Sequence, residues 1–142
     1  MPATASKLGS EATTEGIRVE VSPSYMPDHS RPGEREFVFS YRIRVTNAGE
    51  EAAQIISRRW IIVDAGGGRH EVEGPGVVGQ QPRIEPGGTF EYSSYCPLKT
   101  AWGTMEGTFQ MRRDDGRGFD ALVARFYLAG PAPMAAPVGV RG

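Results

Sequence analysis

Phe37-Val38-Phe39-Ser40-Tyr41-Arg42-Ile43-Arg44-Val45-Thr46-Asn47 is the stretch on which the fold turns. Phe37, Phe39, Tyr41, Ile43 and Val45 alternate with Val38, Ser40, Arg42, Arg44 and Thr46, the period of a strand with one buried face, over a length that no helical pattern matches. Asn47-Ala48-Gly49-Glu50 follows as a polar turn. Gln54 to Asp64 then carries Ile55, Ile56, Trp60, Ile61, Ile62 and Val63, β-branched or aromatic on both faces, as a central strand does. Asp64-Ala65-Gly66-Gly67-Gly68 reads as a hairpin loop that returns Arg69 to Glu73 beside it. Upstream, Ile17, Val19 and Val21 alternate with polar residues, and Pro23 confines the end of that strand to an edge or a bulge.

Downstream, Ile84-Glu85-Pro86-Gly87-Gly88 holds the Pro-Gly pair of a β-turn, after which Phe90 and Tyr92 resume the strand pattern. Met105, Phe109 and Met111 share one parity with Gly107, and Asp114-Asp115-Gly116-Arg117-Gly118 is the strongest hairpin signal in the chain. Phe119 to Leu128 closes the sheet. No amphipathic helix interrupts the series, so the pattern predicts an all-β fold, an antiparallel β-sandwich of about seven strands.

Composition agrees and narrows the function classes. The 142 residues suit one domain, and 19 Gly with 11 Pro suit many short segments joined by turns. Residues 17–129 form the expected domain. Met1 to Gly16 has too few large apolar residues to anchor a segment and is expected as a disordered tail. Gly130 to Gly142, broken by Pro131, Pro133 and Pro137, is expected as a second flexible tail. A net charge of −1 gives no electrostatic reason to bind nucleic acid. No stretch is long and apolar enough for membrane insertion, and no secretory signal is evident. With a single cysteine, Cys96, and hence no internal disulfide, a cytoplasmic protein is expected.

Gly74-Pro75-Gly76-Val77-Val78-Gly79 matches G-x-G-x-x-G, the string whose backbone amides approach a pyrophosphate in dinucleotide-binding folds. It lacks the helix that such a site needs, because Gln80-Gln81-Pro82 and a turn follow. The first reading is a glycine-rich connection from one sheet to the other; the alternative is an anion site formed by Gly74, Gly76 and Gly79. In Ser57-Arg58-Arg59-Trp60 the two arginines point to opposite faces. Either they receive a carboxylate or phosphate, or one is solvent-facing and the other pairs with Glu71, Glu73 or Glu91. Asp28, His29, His70, Glu71 and Glu73 fit no zinc spacing, so no metal site is expected. Cys96 has no base nearby in sequence and reads as a packing residue. No catalytic order of Ser, His and Asp stands out, and nothing calls for a cofactor.

From Ser57 to Met111 the chain resembles the ApaG family. The resemblance rests on Ser57-Arg58-Arg59-Trp60-Ile61-Ile62 with Asp64, Gly74 to Gly79 with Gln81-Pro82, Pro86-Gly87, Phe90-Glu91-Tyr92, Cys96-Pro97-Leu98, and Gly103-Thr104-Met105-Glu106-Gly107 leading to Gln110-Met111. Val19 to Tyr25 and Phe37 to Asn47 fit its opening strands, while Arg59 departs from an expected His. The resemblance implies an immunoglobulin-like or fibronectin type III-like sandwich, a bacterial association with cobalt resistance and magnesium efflux, and, from eukaryotic relatives, a module that binds other proteins. The resulting expectation is a non-enzymatic protein-interaction module, linked only indirectly to cobalt and magnesium homeostasis. It would bind another protein or form a homo-oligomer through an edge strand. The alternative is a nucleotide or pyrophosphate-binding protein using the Gly74–Gly79 loop with Arg58 or Arg59.

Overall fold

A computed structural model describes residues 8–131. Nine strands lie among them: β1 (Ser10–Thr14), β2 (Ile17–Tyr25), β3 (Phe37–Asn47), β4 (Ala53–Asp64), β5 (Arg69–Pro75), β6 (Arg83–Ile84), β7 (Thr89–Leu98), β8 (Trp102–Arg113) and β9 (Gly118–Ala129). One antiparallel sheet has the order β1-β2-β3-β7. The other has the order β5-β4-β8-β9, with β6 also paired to β4. The two sheets pack face to face, as the alternation in β3 requires. No helix among the described residues is long and apolar enough to cross a membrane.

Trp60 of β4, only 3% exposed, lies at the centre of the core. Its indole meets Tyr41 at 5.7 Å, Phe109 at 5.8 Å and Phe126 at 6.1 Å between ring centroids, all three edge to face. That geometry sets the positive rim of one ring against the negative face of the next and adds about 0.5–1.5 kcal/mol per pair beyond area burial. Met105, Phe109 and Met111 all point inward, as their shared parity predicts. A bulge decides which residues of β4 join them: Ile55 pairs with Met111 and Ser57 with Gln110, leaving Ile56 as the extra residue. Without it, Ile55 and Arg59 would share a face. With it, Ile55, Arg58, Trp60 and Ile62 face inward.

Three expectations are corrected. The Met1–Gly16 segment is not wholly a tail: Ser10–Thr14 forms β1 and pairs with β2 from Ser10–Val21 to Thr14–Ile17. Small polar residues suffice there because hydroxyls fasten the strand to β9. Ser10 Oγ donates to the Ala124 carbonyl at 2.7 Å, and the Leu122 amide donates to Thr14 Oγ1 at 3.0 Å. Residues 1–7 and 132–142 of the two expected tails lie outside the described residues. The strand count rises to nine among the described residues because β1 and the two-residue β6 carry no strong apolar alternation. Finally, the glycine-rich segment does not cross between sheets, since β5 before it and β6 after it pair with the same strand, β4. The crossing falls at Glu85–Gly88, where the Gly88 amide donates to the Glu85 carbonyl at 2.7 Å and Gly87 has φ +82°. Pro23 sits as read: it stands beyond the last β1 pair, so its missing amide faces no ladder partner.

One end of the sandwich is held by a fully buried Asn47. Its Nδ2 donates to the carbonyls of Glu51 at 2.8 Å and Ile84 at 3.1 Å, and its Oδ1 accepts the Gly49 amide at 3.0 Å. Removing that side chain takes the donor from the buried Ile84 carbonyl and the acceptor from the Gly49 amide, each at a cost of about 1–3 kcal/mol. Asn47→Ala is therefore expected to lower unfolding stability by about 3 kcal/mol in urea melts, far beyond the effect of a typical exposed substitution.

Candidate functional site

The glycine loop is sewn to the β4 bulge. The Gly76 amide donates to the Ile56 carbonyl at 2.8 Å, Gln81 Nε2 donates to the same oxygen at 2.8 Å, and the Ile55 amide donates to the Pro82 carbonyl at 3.0 Å. Val77 and Gln80 exchange amide-to-carbonyl bonds at 2.8 and 2.9 Å around a tight turn. Its central residues, Val78 at φ +42° and Gly79 at φ +80°, are both left-handed, as in a type I′ turn. For a β-branched residue this is a strained conformation, yet Val78 holds it while 50% exposed.

The two arginines part company, as neighbouring residues on a strand must. Arg59 points outward, where its Nη2 meets Glu71 at 2.6 Å and its Nε meets Glu73 at 3.1 Å. Hydrogen bonds from Arg69 and Arg59 hold the Glu71 carboxyl below its ordinary pKa. The sequence reading assigns such a pair to the other arginine; here the outward one makes it. Arg58 points inward and is half-buried, and its Nη1 donates to the carbonyls of Pro75 and Gly76, each at 3.1 Å. Gly74 is its cross-strand neighbour, so close that a Cβ there would lie 3.0 Å from Nη1.

Of the five residues singled out from the sequence, Arg58, Gly74 and Gly76 come together. Arg59 lies on the opposite face and Gly79 at the tip of the turn. The loop presents carbonyls to Arg58 while its Gly76, Val77 and Gln80 amides bond within the protein. A cradle of amides around a pyrophosphate is not what this geometry builds.

Sequence reasoning missed what surrounds Arg58. Phe109 is its partner across β4 and β8, and the Tyr92 ring of β7 lies 6.5 Å from the Phe109 ring. The Tyr92 hydroxyl is buried without a hydrogen-bond partner. Burial raises the pKa of both Tyr92 and Tyr41, while the nearby Arg58 charge pulls the other way on each. The strand pattern placed Tyr92 on the same parity as Phe90; the lack of a hydroxyl partner has no sequence signal. Elsewhere, His70 is exposed on β5, and His29 stacks on Tyr95 at 6.5 Å. Among the described residues no group of three His, Cys, Asp or Glu side chains is placed to hold a metal ion. Burial pushes the Cys96 thiol up to about 11.

The architecture defines a two-sheet antiparallel sandwich of the fibronectin type III-like class. The chain belongs to the ApaG family, whose ApaG domain matches residues 27–113. It is 55% identical over 125 residues to protein ApaG of Anaeromyxobacter dehalogenans strain 2CP-1, covering 88% of this chain and 98% of that one. It is 49% identical over 118 residues to protein ApaG of Bordetella pertussis, covering 83% and 90% respectively. The crystal structure of a Bordetella pertussis protein described as ApaA superposes with a TM-score of 0.79 at 48% identity, covering 82% of this chain and 94% of that one.

These contacts set the expected behaviour of variants. A Cβ at Gly76 would meet the Gln80 carbonyl oxygen at 2.3 Å, whereas one at Gly79 meets open space. Thermal melts should therefore show Gly76→Ala costing about 2 kcal/mol or more and Gly79→Ala about 1 kcal/mol. Val78→Asn relieves the turn and should gain about 1 kcal/mol. At pH 8 a thiol reagent should label Cys96 only as fast as the protein opens, and at once in denaturant.

Proposed function

We propose that the protein is a non-enzymatic recognition module that docks a partner protein along one side of its sandwich. The observation that carries this reading is an asymmetry between the two sides. On one side β1 is fastened to β9 through Ser10, Thr14 and a hydrogen bond from the Tyr127 amide to the Leu8 carbonyl at 2.9 Å. On the other, the outer edges of β5 and β7 pair with no strand among the described residues. Unpaired edges offer the amides and carbonyls that an added strand requires. The family's association with cobalt and magnesium homeostasis then acts through the partner, and the partner is either a different protein or a second copy of this chain.

Photo-crosslinking residues placed singly at His70 on β5, Ser93 on β7 and Leu122 on β9 test this in cells. Adducts of one defined mass from His70 and Ser93, with none from Leu122, are expected. Adducts from Leu122 alone would move docking to the outer sheet face and overturn the reading.

A further inference from the structure

Arg58 is a charged group without a counter-charge. The nearest acidic residues across the strand pair, Glu71 and Glu73, lie on the opposite face and are engaged by Arg59, with Arg69 also on Glu71. Gly74, Phe109 and Trp60, which share its face, and the Tyr41 and Tyr92 rings of the opposite sheet that pack against them are uncharged. Both hydrogens of Nη1 are engaged by the Pro75 and Gly76 carbonyls, which fix the plane of the guanidinium. Nε and Nη2 have no partner among the described residues. These are the two nitrogens that form the side-on fork for bidentate oxyanion binding.

A second orphan faces the same part of the core: the Tyr92 hydroxyl is buried without a hydrogen-bond partner, on a ring that packs 6.5 Å from Phe109, the cross-strand partner of Arg58. Arg58 Nε and Nη2 and the Tyr92 hydroxyl are donors without an acceptor among the described residues. Val72, on the same face of β5 two residues from Gly74, is 38% exposed, and Val78, in the loop whose carbonyls hold Arg58, is 50% exposed. The site offers one positive charge, and the Gly76, Val77 and Gln80 amides that might add to it are bonded internally. A monoanion matches that charge better than a pyrophosphate does.

We propose that Arg58, held by the Pro75 and Gly76 carbonyls, is the receptor for a carboxylate, with the Tyr92 hydroxyl as second donor and Val72 and Val78 taking an apolar group next to it. The proposal rests on the docking reading above and names the group that the partner presents, an apolar residue bearing a free carboxylate.

Amide and arginine Nε NMR titrations of the full chain test it, at constant ionic strength with chloride as control. The probes are acetate, a short peptide ending in Val with a free C-terminus, and the same peptide amidated. Saturating shifts at the Arg58 Nε–H and at Gly74, Gly76 and Tyr92 are expected with acetate, and the free-acid peptide should bind about tenfold tighter than its amide. Arg58→Lys keeps the charge but lacks the fork and should lose about tenfold. Tyr92→Phe, which keeps the ring, should weaken binding severalfold without lowering the melting temperature.

Acetate shifts no larger than those with chloride, or binding unchanged in both variants, overturn the proposal. Saturation by acetate with no peptide preference supports a small free carboxylate as the source. Loss of the His70 and Ser93 crosslinks with acetate binding intact would sink the docking reading alone.

Discussion

A single carbonyl oxygen, that of Glu51, organises one end of the molecule. It accepts from Asn47 Nδ2 at 2.8 Å and from Arg113 Nη1 at 2.9 Å, so its two lone pairs take donors from two buried polar side chains at once. Each donor reaches onward. Arg113 Nη2 donates to the Glu15 carbonyl at 2.6 Å in the β1–β2 turn, and its guanidinium lies 4.5 Å from the centre of the Phe119 ring at the start of β9. The Asn47 backbone bonds Gly87 and Gly88 in the turn that changes sheets, and the Ala48 amide reaches the Gly16 carbonyl. Turns from both sheets therefore share a few donors and acceptors. In a low-dielectric interior, such a network is strong only while every member is satisfied.

At mid-strand a different constraint rules. The bulge at Ile56 rephases β4 so that Trp60 fills the core, and the same shift carries Arg58 inward and leaves Arg59 in an exposed ion-pair cluster. One extra residue thus sets both the packing and the electrostatics. Its free carbonyl is capped by the Gly76 amide and the Gln81 side chain, which places the loop over the bulge and Arg58 under the loop. Core and candidate site have a common origin.

The two-sheet plan was legible because β2, β3 and β8 write their buried faces as plain alternation, and the alternation of Arg58 with Arg59 foretold that one would be inward. Which one was hidden, since a bulge has no residue signature here and Ile55-Ile56 reads equally well in either phase. β1 was missed for a related reason: Ser10 and Thr14 stabilise it through hydroxyl bonds to β9, interactions that leave no apolar period. The string Gly74–Gly79 reads as a cradle of amides, whereas the amides of Gly76, Val77 and Gln80 are bonded internally and carbonyls face Arg58. Its glycines admit positive φ at Gly76 and close approach at Gly74, so that an arginine can bind the loop's carbonyls.

The fastening of β1 to β9 bears on how the chain is made. Ser10 and Ala124 are 114 residues apart, so the strand that emerges early from the ribosome waits for almost the last one. At a synthesis rate of about 5–20 residues per second that delay is on the order of ten seconds. During it, β1 can pair with β2 and β2 with β3, yet the margin that β1 later shields stays open. Closure then waits on contacts between distant parts of the chain, which are slow to form. Cells that shorten this interval, or that supply a chaperone to cover the margin until β9 arrives, gain soluble protein without any change in the finished fold.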